Sequence, residues 1–281
     1  MKEKNGEKVV EKIVILCDNS IESILTAIYD GFVIKNERFA GRKKNLPEYQ
    51  DNIEIRPLEN YEYEMFAEYL TVKADEEKAE KTVYAIRKKL GDKVWHITLR
   101  AICHFDSHRG TQIFHFLVRG FHIGSKVMDM LYDTYVMSVM ELSRKTANEA
   151  HYFVQFIRFE ETDSILYSKI EPKCNVLPLI AEHFSGRFPN ENFVIYDAVR
   201  KLSVVHKKYE KYFFVRDSEI ALSEKNTIKN GLAEKSDSYE MLWKTYFHSI
   251  GIEERENRKC QRNMLPLWYR KNMIEFSEEN S

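Results

Sequence analysis

Three groups of residues have types and spacings that could do chemistry. The first is a basic line, His115, Arg119, His122 and Lys126, whose intervals of four, three and four put all of them along one side of a helix. Arg144, Asn148 and His151 repeat the arrangement on the following helix. Cations aligned in this way suit phosphate oxygens, because each lysine or arginine displaces a condensed counterion from a nucleic-acid backbone. The plainer alternative is a solvated helix face, with Asp129 and Asp133 as neighbours.

The second group combines acids, bases and cations: Glu149, His151, Arg158, Glu171, His183, Arg187, Asp197 and Arg200. His183 and Arg187 lie one helical turn apart and could meet a single anion. Glu171-Pro172 closes a strand just before their helix, where a carboxylate could face the same groove. Glu149, His151, Glu171 and His183 are therefore the candidate catalytic set, since carboxylates with histidine can exchange protons with a substrate. Structural ion pairs are the alternative. The third group is the C-terminal tail, where Trp243, Tyr246, Phe247, Trp268 and Tyr269 interleave with Lys244, Arg255, Arg258, Lys259, Arg262, Arg270 and Lys271. Aromatics among cations can stack on unpaired bases while neutralising phosphates; packing of the tail on the body is the competing use.

The elements that must position these groups are legible in the hydrophobic pattern. Lys12–Cys17 (KIVILC) reads as a buried strand, Asp18-Asn19-Ser20 as a capped turn in which Asp18 is better placed to cap than to catalyse, and residues 21–33 as a helix. Residues 52–57 form a second strand, and 61–150 read as almost wholly helical, with a break near Gly91-Asp92 and an amphipathic helix over 111–131. Residues 152–159, 165–170, 192–197, 202–206 and 212–215 are aromatic or β-branched strand candidates. One helix interrupts them over 176–188, with Asn175 placed to cap it. The fold class is α+β: a helical region packed on an antiparallel sheet of about five strands with one inserted helix, an N-terminal strand–helix unit and a helical tail. The expected organisation is a flexible start over 1–11 and a single domain over 12–216, helix-rich to 151 and sheet-rich from 152. A linker over 217–238 and a packed helical tail over 239–281 complete it.

Composition bounds the function. The chain has 281 residues, 43% apolar and 31% charged, with a net charge of −1. No global field pulls it onto DNA, so a nucleic-acid surface must be a local patch. No run reaches the roughly 20 apolar residues that cross a bilayer, and the Lys/Glu-rich opening lacks the apolar core of a secretory signal. A cytoplasmic location with no membrane contact is expected. Cys17, Cys103, Cys174 and Cys260 are scattered, with no C-x-x-C pair for a zinc or iron–sulfur site, so neither a metal nor a cofactor is expected of this chain. Nor does a G-x-G-x-x-G turn follow the first strand.

Four phrases carry a family resemblance: ILCDNSIESILTAIYDGF; IFHFLVRGFHIGSKVMDMLYD; EAHYFVQFIRFEE with LYSKIEPKCNVLPLIAEHFSGRFPNENFVIYDAVR; and LWKTYFHSIGIEERENRKCQRNMLP. Through them the chain resembles a bacterial family assigned to DNA metabolism or DNA repair and built on a domain of unknown function. The resemblance implies a neighbouring radical SAM protein that modifies or repairs DNA; related domains occur fused to a uracil-DNA-glycosylase-like module. It implies no catalytic residues. Where the family carries a run like Met-Pro-Lys/Arg-Arg-Tyr-Trp, this sequence has Leu265-Pro266-Leu267-Trp268-Tyr269-Arg270, with fewer cations. The expected function is that of an accessory protein binding DNA without sequence specificity beside the radical SAM partner. A hydrolase or lyase acting through a Glu/His cleft, and a protein–protein adaptor, remain the alternatives.

Overall fold

Residues 12–39, 52–59, 61–162, 164–217, 246 and 257–276 are described by the computed structural model. The chain divides into two compact units, residues 1–146 and 147–281. The helix-rich and sheet-rich parts, expected as one domain over 12–216, thus cluster separately, close to the expected junction at 151/152.

The first unit is built around β1 (Lys12–Cys17), whose apolar run is buried along almost its whole length. It is the middle strand of a three-stranded parallel sheet, between β2 (Ile53–Pro57) and β3 (Ala67–Thr71), with Ile13 opposite Ile53 and Val14 opposite Tyr69. A parallel neighbour requires a crossover, which α1 (Ile21–Phe39) supplies between β1 and β2. Ser20, rather than Asp18, caps α1: its hydroxyl accepts the Ser23 N–H at 3.1 Å, and the Ser23 hydroxyl accepts the Asp18 N–H. The N-terminal strand therefore pairs in a sheet of its own. β3 lies in the stretch expected to be helical. Its short, mixed sequence (AEYLT) becomes a strand because β1 offers it a ladder edge.

Helices α2 (Glu76–Leu90) and α3 (Asp92–Ile102) are separated by Gly91, as the sequence suggests, and α4 (Arg109–Ile123) packs against β2. The Thr111 hydroxyl of α4 accepts the Ile55 N–H and donates to the Ile55 carbonyl, both at 3.0 Å. It thereby satisfies the outer edge of β2, which would otherwise present unpaired backbone groups. Gly110 brings the helix close enough that an added Cβ would lie 2.9 Å from the Ile55 carbonyl oxygen. The core joins Ile13, Ile15, Ile24, Ile28, Phe114 and Leu117. The expected helix over 111–131 stops early. Gly124 adopts φ +87°, a left-handed backbone that ends α4, and a 3-10 turn (Ser125–Asp129) follows.

The long helix α5 (Thr134–Phe156) starts at Asp133, whose carboxylate accepts the Tyr135 and Val136 N–H groups. It runs to Phe156, so most of the strand expected over 152–159 is helix. Aromatic and β-branched residues there suggest a strand, yet their burial follows a helical face, with Ala150 and Phe153 inside. The second unit then forms a five-stranded sheet in the order β4 (Glu160–Thr162), β5 (Ile165–Ile170), β6 (Asn192–Asp197), β7 (Leu202–His206) and β8 (Phe213–Arg216). Three pairings are antiparallel, and β5–β6 is parallel because α6 (Leu177–Arg187) carries the chain back across the sheet. Phe153, Ile170, Leu177, Ile180, Phe184, Phe193 and Ile195 make its core.

The described tail is a short helix, α7 (Arg258–Met264), followed by 3-10 turns over Leu267–Asn272 and Ile274–Phe276. Most of the linker expected over 217–238, together with Trp243 and Phe247, lies outside the described residues. Among the described residues, no helix is long and apolar enough to cross a membrane.

Candidate functional site

In the second unit, Glu149 and Arg200, with Asp197 behind Arg200, hold one loop, residues 171–176, between β5 and α6. Glu149 projects from α5, and its two carboxylate oxygens accept the N–H groups of Lys173 (2.7 Å) and Cys174 (3.1 Å). Asp197, fully buried at the end of β6, accepts the Val199 and Arg200 N–H groups and pairs with the Arg200 guanidinium at 3.0 Å. Burial pushes the Asp197 carboxyl up, and Arg200 opposes that shift. Arg200 also donates to the carbonyls of Pro172 and Lys173. One loop is thus clamped at its N–H groups by a carboxylate and at its carbonyls by a guanidinium. Such charge-assisted bonds are roughly twice as strong as neutral ones.

Each member of the expected Glu/His quartet has its own direct partners. Glu149 spends both oxygens on backbone, and His151 is exposed with its ring 2.8 Å from the Gln155 amide. Glu171 pairs with Lys271 (3.2 Å) and Lys169 (3.4 Å), and the Lys271 bond holds its carboxyl below the usual glutamate range. His183 is exposed on α6 and rests edge-on against Phe184. No two of the four share a hydrogen bond. Among the described residues, no three His, Cys, Asp or Glu side chains are grouped to hold a metal ion.

The remaining expected residues divide by environment. Arg158 pairs with the buried Glu275 at 2.7 Å, which ties the tail to the end of α5. Asn175 does not cap α6: Val176 takes the cap position, and the Asn175 side-chain oxygen is buried without a hydrogen bond among the described residues. Arg187 is exposed, its guanidinium 5.7 Å from the Phe188 ring centroid. Arg144 and Asn148 are exposed on α5.

The basic line in the first unit is broken. His115 has no exposed surface and its ring packs 4.5 Å from that of Tyr135. The Arg119 guanidinium is held by Asp133 at 2.5 Å and lies over the Tyr135 ring. Lys126 falls beyond Gly124 in the 3-10 turn, off the helix that carries the others. Only His122 and Lys126 of the four are exposed. Spacing alone cannot show this, because the helix ends between its third and fourth members and its packing buries the first.

A different cluster comes together at the tail. Tyr269 turns inward, stacking on Tyr152 at 4.8 Å and meeting Phe153 edge-on, and burial drives its hydroxyl pKa upward. That anchor leaves Trp268 outside, 39% exposed. Over its ring stand the ammonium groups of Lys271 (4.5 Å) and Lys173 (5.1 Å), the latter from the clamped loop. Lys169 and Lys271 both pair with the Glu171 carboxylate beside this platform. Lys271 and Trp268 were visible in the tail sequence; Lys173, nearly a hundred residues earlier, was not.

A family model described as a domain of unknown function, DUF4130, matches residues 107–275, well over half of the chain. The protein belongs to this family. The matched region begins just before α4 and includes the clamped loop and Trp268, but not the three-stranded parallel sheet. No curated protein matches the sequence.

Proposed function

We propose that this DUF4130 protein is a DNA-binding accessory subunit that works beside a radical SAM protein in DNA modification or repair. The observation that carries the DNA part is the exposed Trp268 ring with the Lys173 and Lys271 ammonium groups above it. An indole offers a sequence-tolerant stacking surface, and adjacent lysines neutralise the phosphates flanking a stacked base. A net charge of −1 makes a local patch of this kind the appropriate device. Exposed Arg187 on α6 adds a cation in the same unit. The sequence resemblance supports the partner, which would supply the cluster chemistry.

The test is fluorescence anisotropy with labelled single- and double-stranded oligonucleotides across a salt series. Trp268→Ala should weaken single-strand binding about 5- to 150-fold, the equivalent of roughly 1–3 kcal/mol per stacked base. Lys173→Gln with Lys271→Gln should flatten the salt slope by about 1.4, at roughly 0.7 per charge on single strands. Affinity and slope unchanged in both variants would remove the platform from DNA binding. Co-expression with the radical SAM partner should yield a complex that survives purification.

A further inference from the structure

The first unit carries a groove whose chemistry is independent of the Trp268 platform. It lies along α1, α2 and α4, with a volume of about 490 Å³, within the range of small-molecule sites. Its walls include Tyr29, Phe32 and Phe121, and the last two rings meet edge-on at 5.3 Å. Its charged lining is of one sign, Lys35, Lys81 and Lys89, with no Asp or Glu among the described lining residues.

Two of these cations are available. Lys81 is spent on Glu77 at 2.6 Å. Lys35, by contrast, is partly buried with no carboxylate partner among the described residues, while Lys89 stands 5.5 Å over the Phe121 ring and is exposed. Burial lowers the Lys35 pKa, as expected of an ammonium that has lost water. A bare inorganic anion would leave the aromatic walls uncovered, and an uncharged apolar ligand would leave Lys35 uncompensated. A ligand with both an anionic group and a flat ring satisfies each.

We propose that this groove binds a nucleoside phosphate, its ring against Phe32 and Phe121 and its phosphate on Lys35 and Lys89. The nucleotide could be free or part of a strand. Isothermal titration of the full chain with dAMP, deoxyadenosine and inorganic phosphate tests the idea. We expect dAMP to bind with one-to-one stoichiometry and each partial ligand about tenfold more weakly, since deoxyadenosine lacks the charge-assisted bonds and inorganic phosphate the ring contacts. Lys35→Met keeps the buried stem and removes the charge, so it should lower dAMP affinity about tenfold without lowering the melting temperature of the free protein. Lys89→Gln, at an exposed site, provides the same readout if Lys35→Met fails to fold. A 5′-phosphorylated tetranucleotide that displaces dAMP and binds more tightly assigns the site to a strand; one that binds more weakly assigns it to a free nucleotide. Absence of dAMP binding at millimolar concentration, or binding indifferent to both lysine variants, would overturn the proposal.

Discussion

Glu149→Gln separates a structural from a catalytic use of a buried acid in the second unit. The Glu149 carboxylate accepts two backbone N–H groups, from Lys173 and Cys174. A glutamine keeps one acceptor oxygen and turns its NH2 towards the other N–H, so one donor is left facing a donor. The loss is one charge-assisted bond, about 1.5–3 kcal/mol, plus the cost of an unsatisfied buried amide, about 1–3 kcal/mol. The two overlap in part, and about 3 kcal/mol is a reasonable centre. At about 2–4 °C per kcal/mol for a chain of this size, the melting temperature should fall by about 6–12 °C. Thermal and urea denaturation of the purified variant measure it, and Glu149→Ala should be at least as damaging. Loosening the loop also releases Lys173, so single-strand affinity should drop towards that of Lys173→Gln. A Glu149→Gln protein as stable as wild type, yet inactive with its partner, would refute the clamp and restore the acid–base reading.

Thr111→Val removes the hydroxyl that satisfies both backbone groups of Ile55, at nearly constant volume. It should cost about 1–3 kcal/mol and raise amide exchange at Ile55, where unchanged exchange would show that the edge is satisfied otherwise. The Glu171 carboxyl is held below its ordinary value by Lys271 and Lys169. Its contribution to stability is present above the ordinary glutamate range and is lost as pH falls through its depressed folded value. Lys271→Gln should reduce this acid sensitivity, and a stability–pH profile that does not move would remove the pair from the balance.

Much of this molecule is determined by its sequence alone. A continuous apolar run such as KIVILC can hardly be other than a buried strand, since both its faces need cover. The break at Gly91, the cap at Asp133 and the helix between β5 and β6 follow equally from local chemistry. Partnership was not legible. β3 is a strand because β1 has an open edge, and residues 152–156 are helix because Phe153 fits the core from a helical face. The functional groups show the same division. Sequence picks out Glu149, Asp197 and Arg200 as polar residues of potential consequence, but only the tertiary structure decides that their hydrogen-bonding capacity goes to backbone. It likewise buries His115, pairs Arg119 with Asp133 and sets Lys173 over Trp268. The physical reason is range. Helix periodicity and capping act over a few residues and can be read along the chain. Desolvation and ion pairing depend on what the fold brings alongside, here from residues up to about a hundred positions apart.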